Sequence, residues 1–142
     1  MLKALFLDLD DTLCDTSTAN EQAMRLMAES LQAQYGHEFD GQGFSRAYVQ
    51  CIYRNWSDSQ RADDNPIIEQ QSESAFRVQL IRDLLAGQGV RSVTEVEAQS
   101  VQHKFDRDRL QAFGFYAGIT GFLAEARKIF TLVVITNGPE YS

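Results

Sequence analysis

The stretch KALFLDLDDTLCDT, residues 3–16, runs an apolar strand directly into Asp8, Asp10, Asp11 and Asp15. Four carboxylates so close together repel one another and cannot be buried unpaired. A chain can fold this way only if something at the end of that strand holds the carboxylates or uses them.

Two apolar runs have the length and content of buried strands in a parallel sheet. The first is LKALFL, Leu2 to Leu7, and the second is FTLVVIT, Phe130 to Thr136, stopped by Asn137, Gly138 and Pro139. The sequence between them is helical in pattern. A capping box of Thr18 and Glu21 opens a helix that carries Met24, Met27, Leu31 and Tyr35 and ends at Gly36. Phe44, Tyr48, Cys51 and Ile52 mark a second helix. Ile68, Ala75, Val78, Ile81 and Leu85 mark a third, and Val93, Val96, Val101 and Phe105 a fourth. Ile119, Phe122, Leu123, Ala126 and Phe130 mark a last one, about residues 118–129, leading into the second strand.

A crossover between parallel strands needs a dozen or so residues, and here about a hundred intervene. The last helix therefore reads as the crossover, and residues 17–113 as a helical insertion. The expected class is α/β: a partial doubly wound, Rossmann-like parallel sheet, residues 1–16 and 114–142, with a helical cap inserted after its first strand. Leaving from the C-terminal end of a strand, such a cap sits where open α/β sheets bind ligands.

With 142 residues the chain suffices for one ordinary domain with a core. Its net charge of −7 gives no electrostatic footprint for nucleic acid or an anionic membrane surface. No apolar run approaches the roughly 20 residues of a membrane span, and the opening residues lack the regions of a signal peptide. The expectation is a cytoplasmic protein. Cys14 and Cys51 have neither metal-ligand spacing nor a disulfide framework and read as reduced packing residues. His37 and His103, far apart in the insertion, read as surface or packing residues.

The chemistry follows from the strand ends. Asp8 closes the first strand, and Asp10 can point into the same crevice. A cation joining them relieves their repulsion, and magnesium suits this because it takes oxygen ligands from one or two carboxylates, substrate phosphate and water. Asp8 then has an oxygen free to attack phosphorus, giving an aspartyl-phosphate. Asp10 can protonate the leaving oxygen and later deprotonate the attacking water. Thr136, Asn137 and Gly138 end the second strand with a hydroxyl, an amide and a bare backbone N–H, donors suited to phosphoryl oxygens.

FLDLDDTLCDT resembles the first motif of the haloacid dehalogenase superfamily, a hydrophobic strand followed by Asp-x-Asp-x-Thr, and LVVITNG resembles its second. The order of strand, helical insertion, helix and strand is similar to members with a helical cap. Within the superfamily the wording is most similar to the N-acylneuraminate-9-phosphatase and pyrimidine 5′-nucleotidase groups. The resemblance implies Asp8 as nucleophile and magnesium ligand, and Asp10 as acid/base with its backbone carbonyl on the metal. It implies Thr12 as a support of the loop, and Thr136 as a phosphate ligand with Asn137 and Gly138 beside it. The substrate implied is a small phosphorylated metabolite, a sugar phosphate or nucleoside monophosphate.

Three other readings stand beside it. As a purely structural feature, DLDDTL is an acidic turn with Asp11 or Asp15 capping the next helix. A haloacid dehalogenase needs the nucleophile but no acid/base two residues on, so Asp10 favours phosphoryl transfer. A phosphate-binding or interaction protein without catalysis is the third. The family pattern continues with a Lys and an acidic motif. Lys3 and Lys128 lie at the wrong edge of the sheet for that Lys, and Lys104 lies in the insertion. The sequence thus reads as the N-terminal part of a larger hydrolase, with a free sheet edge that invites self-association. Tyr53, Arg54 and Trp56 read as cap packing or as contacts to a leaving group.

Overall fold

The two apolar runs pair as β1 (Ala4–Asp8) and β2 (Thr131–Ile135), parallel, with Ala4 opposite Thr131 and Asp8 opposite Ile135. The computed structural model describes residues 3–136, so Leu2 lies outside it. Among the described residues the chain is mixed α/β and mostly helical, with six helices and a two-stranded sheet. No described helix is long and apolar enough to cross a membrane.

One side of the sheet packs against a helix, although Val134 on that side is 52% exposed. Leu5, Leu7 and Leu132 pack with Leu13, Ile119 and Leu123, the last two from α6 (Ile119–Ala126). That helix starts after Gly118, whose φ of 83° lies in the left-handed region that glycine reaches without a Cβ clash. On the other side Phe6 is 63% exposed, and Ile135 at the strand end is 51% exposed. The expectation of fully buried strands fails on this face. Alternate residues face opposite sides, and among the described residues the helix packs on one side only.

The insertion folds as α1 (Thr16–Tyr35), α2 (Gly41–Ile52), α3 (Asp58–Gln70), α4 (Glu73–Gly87) and α5 (Glu95–Ala112). Their start signals are local. Asp15 caps α1 and Asp40 caps α2. Ser57 with Gln60, and Thr94 with Glu97, form capping boxes on α3 and α5. The predicted Thr18–Glu21 box is not used: Asp15 accepts from the Thr18 N–H, so the helix begins at Thr16. The predicted third helix is two, because Ser72 accepts from the Ala75 N–H and restarts the chain as α4. The polar run before it, SDSQRADDNP, lies largely in α3, which buries no residue and carries Pro66. Without an apolar stripe it gives no periodic signal.

One apolar cluster joins the insertion, with Met27 and Leu31 of α1, Phe44 and Tyr48 of α2, Ile81 of α4 and Phe105 of α5 among its members. Each such side chain contributes about 1.5–3 kcal/mol by leaving water. Tyr48 meets Phe105 edge to face at 5.1 Å between centroids, a favoured geometry for aromatic pairs. α1 and α2 approach so closely that a Cβ on Gly41 would stand 2.4 Å from the Ala28 carbonyl oxygen. Val96, expected on the apolar face of α5, is instead 73% exposed, and Ala98, Gln102 and Phe105 are the residues that face inward.

A charge network ties α4 to its neighbours. The Arg77 side chain, 1% exposed, donates through Nη1 to Asp106 Oδ1 at 2.9 Å and lies 3.5 Å from Glu73. Glu73 also pairs with Arg54, whose guanidinium lies over the rings of Trp56 and Phe76. Arg54 and Trp56 are thereby packing residues of the helical unit. Cys14 and Cys51 are free and buried, and both histidines are exposed.

Candidate active site

Each carboxylate of the opening stretch has its own donor. The Leu9 carbonyl accepts from the N–H groups of Leu13 at 3.0 Å and Cys14 at 3.1 Å, which curls residues 9–14 into a tight loop past the end of β1. Asp11 takes a φ of 55° within it, a left-handed conformation that aspartate tolerates better than most residues. Around that loop, the Thr12 hydroxyl donates to Asp8 Oδ2 at 2.8 Å. The Thr16 hydroxyl donates to Asp10 Oδ1 at 2.9 Å. Ser17 donates to Asp11 through its N–H at 2.8 Å and its hydroxyl at 2.6 Å. Asp15 caps α1.

Four carboxylates can therefore coexist because the next turn of sequence, TLCDTST, supplies hydroxyls and helix N–H groups to separate them. Sequence spacing alone does not single out Thr16 and Ser17. The available signal is a pair of hydroxyl residues following the acidic loop, at the first turn of a helix whose start the Thr18–Glu21 pattern places too late. The Ser17 hydroxyl and N–H hold the Asp11 carboxyl below its ordinary range. Tyr116 is pushed up by loss of water contact, and by the charges of Asp15 and Asp11.

The second strand end reaches the same place. Thr136 follows β2, and its hydroxyl donates to Asp10 Oδ2 at 3.3 Å, across 126 positions of sequence. Asp8, Asp10, Thr12 and Thr136 thus stand at one end of the sheet, the C-terminal end of both strands. Asn137 and Gly138 lie outside the described residues. Lys104 pairs with Asp108 at 2.5 Å and Lys128 with Glu125 at 2.9 Å, so neither is directed at this group.

The oxygens of the group are not equivalent. Both carboxylate oxygens of Asp10 accept hydroxyls, from Thr16 and Thr136. Asp8 accepts one, on Oδ2, and among the described residues Oδ1 receives no hydrogen bond. Among the described residues no three His, Cys, Asp or Glu side chains gather as a metal cage. The donors present are hard oxygens at a strand end, a set that suits magnesium held by few protein ligands.

The insertion leaves and rejoins the sheet as a paired ribbon. The Asp15 N–H donates to the Gly114 carbonyl at 2.9 Å and the Tyr116 N–H to the Leu13 carbonyl at 3.0 Å, with Cys14 bridging Phe115 antiparallel. α1 and α5 are thereby brought to the acidic loop by their ends. Compared with family models and with curated proteins, the chain finds no match.

Proposed function

We propose that the chain is a magnesium-dependent phosphomonoester hydrolase that works through an aspartyl-phosphate on Asp8 and acts on a small phosphorylated metabolite. The observation that carries this reading is the convergence of Asp8, Asp10 and Thr136 at one sheet end, with the Thr136 hydroxyl on Asp10. The motif resemblance supports it from the sequence side.

In this reading the Asp8 carboxylate and the main chain at Asp10 would hold magnesium, which when bound offsets the charge of substrate phosphate and carboxylates. Thr12 fixes Asp8 through Oδ2, and Oδ1 is the oxygen positioned to attack phosphorus. Attack forms the Asp8–phosphorus bond as the bond from phosphorus to the leaving alcohol breaks. Asp10 gives that alcohol its proton, then takes one from the water that cleaves the acyl phosphate. Hydroxyls can both donate and accept, so Thr16 and Thr136 can hold Asp10 in either protonation state. In this reading the helical insertion, joined to the acidic loop by the ends of α1 and α5, serves as a cap that excludes water and favours small substrates.

Hydrolysis of an aryl phosphate with and without magnesium tests the reading. Asp8→Asn should abolish magnesium-dependent turnover, because an amide is a poor nucleophile. Near-normal turnover by that variant would show that Asp8 is not the nucleophile, and a wild-type chain indifferent to magnesium would remove the metal from the mechanism.

A further inference from the structure

The outer edge of β2 lacks the usual defences of an edge strand. Among the described residues β2 has β1 as its one neighbour, and from Ile129 to Thr136 no residue is charged and none is proline. Edge strands are ordinarily protected by charges, proline or bulges. β1 has such protection, with Lys3 before it and Asp8 at its end, both exposed. β2 has none, and its Val134 and Ile135 are exposed.

The ladder decides which main-chain groups lie on that edge. The Thr131 N–H donates to the Lys3 carbonyl at 2.9 Å. Alternate residues of a strand bond to a given parallel neighbour, so Thr131, Val133 and Ile135 bond to β1, and Leu132 and Val134 turn their N–H and C=O groups outward. Two residues so placed suit an antiparallel partner, in which hydrogen-bonded pairs flank a non-hydrogen-bonded one. The strand TLVVI meets that pattern with itself. With Val133 opposite Val133 of a second copy, Leu132 stands opposite Val134 and Thr131 opposite Ile135 in both directions. Every cross-strand pair then joins uncharged, β-compatible side chains. Phe6 is the register partner of Val133, so the pairing also draws one apolar row, Phe6 to Val133 and on to their counterparts, across four strands.

We propose that the chain forms a two-fold dimer through β2, antiparallel, giving a four-stranded sheet in the order β1, β2, β2, β1. The inference stands apart from the chemistry assigned to Asp8. A second copy is the occupant because it brings a strand of matching length, free of charge and in self-complementary register. The two-fold axis passes Val133 perpendicular to the sheet, so the strand ends that carry Asp8 and Thr136 point in opposite directions, away from the pairing. A five-residue edge is small beside the interfaces of lasting complexes, so dissociation is expected in about the micromolar range.

Sedimentation equilibrium of the full chain from about 1 to about 100 μM tests this: the mass should rise from 16.1 kDa toward twice that value. Val133→Lys sets like charges opposite each other at the axis and should raise the dissociation constant about tenfold or more in a chain that a thermal melt shows to be folded. Should that variant not fold, Val133→Cys keeps the register testable. It should give a disulfide-linked dimer under mild oxidation, because opposite Cα atoms of a non-hydrogen-bonded pair lie about 4.5 Å apart, whereas Phe6→Cys and Thr131→Cys should not. Cys14 and Cys51 are buried, and the parent chain controls for them. A monomer throughout the range, including one whose own residues 137–142 cover the edge, would overturn the proposal. So would a dimer that persists in folded Val133→Lys, one that cross-links through Phe6→Cys in place of Val133→Cys, or growth to assemblies larger than two.

Discussion

Thr16 is where the site and the helical insertion share one residue, and Thr16→Val isolates what that sharing does. Valine keeps the branched shape of a side chain that is 4% exposed and deletes only the hydroxyl that donates to Asp10 Oδ1 at 2.9 Å. A hydrogen bond to a charged group contributes about 1.5–3 kcal/mol. With about 1.4 kcal/mol per tenfold in rate, its loss corresponds to a fall of about 10- to 150-fold if the bond serves only to aim Asp10. Thr136 holds the other oxygen at a longer 3.3 Å, which places the expectation toward the lower half of that range. In the proposed mechanism Asp10 acts on the leaving oxygen as the bond breaks, so the loss should appear in kcat with KM little changed. Steady-state hydrolysis of an aryl phosphate with magnesium, beside a thermal melt of the same sample, is the assay. Thr16→Ser should retain most of the activity. A folded Thr16→Val chain with kcat within about twofold of the parent would show that Thr16 does not position Asp10, because even the weakest such bond exceeds that difference.

Other perturbations reach the scaffold. Arg77→Ala strips the partner from Asp106 and should cost about 3 kcal/mol, since breaking a buried pair leaves charge uncompensated; the urea midpoint should fall at constant slope. Gly41→Ala should destabilise by about 1–3 kcal/mol, as the added methyl meets the Ala28 carbonyl of α1, while Gly87→Ala, with open space around it, should not. Ser17→Ala should raise the Asp11 carboxyl toward its ordinary value, read by carboxyl chemical shifts against pH. Because the folded carboxyl titrates below the unfolded one, its stabilising effect is complete above the ordinary carboxylate pKa and is lost as pH falls through the lowered folded value. The acid limb of the parent's stability curve should therefore flatten in that variant.

The strands and most helices are legible in the sequence because burial and capping write local signals. Two β-rich apolar runs mark β1 and β2, and the parallel pairing of Ala4–Asp8 with Thr131–Ile135 follows from needing a crossover. The illegible parts lack such signals. α3 has no apolar face to give a period, and α4 merges with it in the pattern because Ser72, a capping residue, stands between two helical stretches. At the site, Asp8, Asp10 and Thr136 are legible as strand-end residues. Thr16 and Ser17 are not, because their partners lie six positions back across a loop whose left-handed Asp11 no pattern announces. Long-range polar sets such as Asn20 with Arg109, 89 positions apart, carry no spacing rule at all.

The ribbon of residues 13–15 against 114–116 joins the helical unit to the sheet through two chain segments laced side by side. With the two segments paired, neither can slide along the other without breaking the hydrogen bonds between them. Thr16 begins α1 and Asp10 belongs to the sheet loop, so the Thr16–Asp10 hydrogen bond crosses the junction of the two. A shift of α1 away from the loop would therefore lengthen a hydrogen bond on the Asp10 carboxylate.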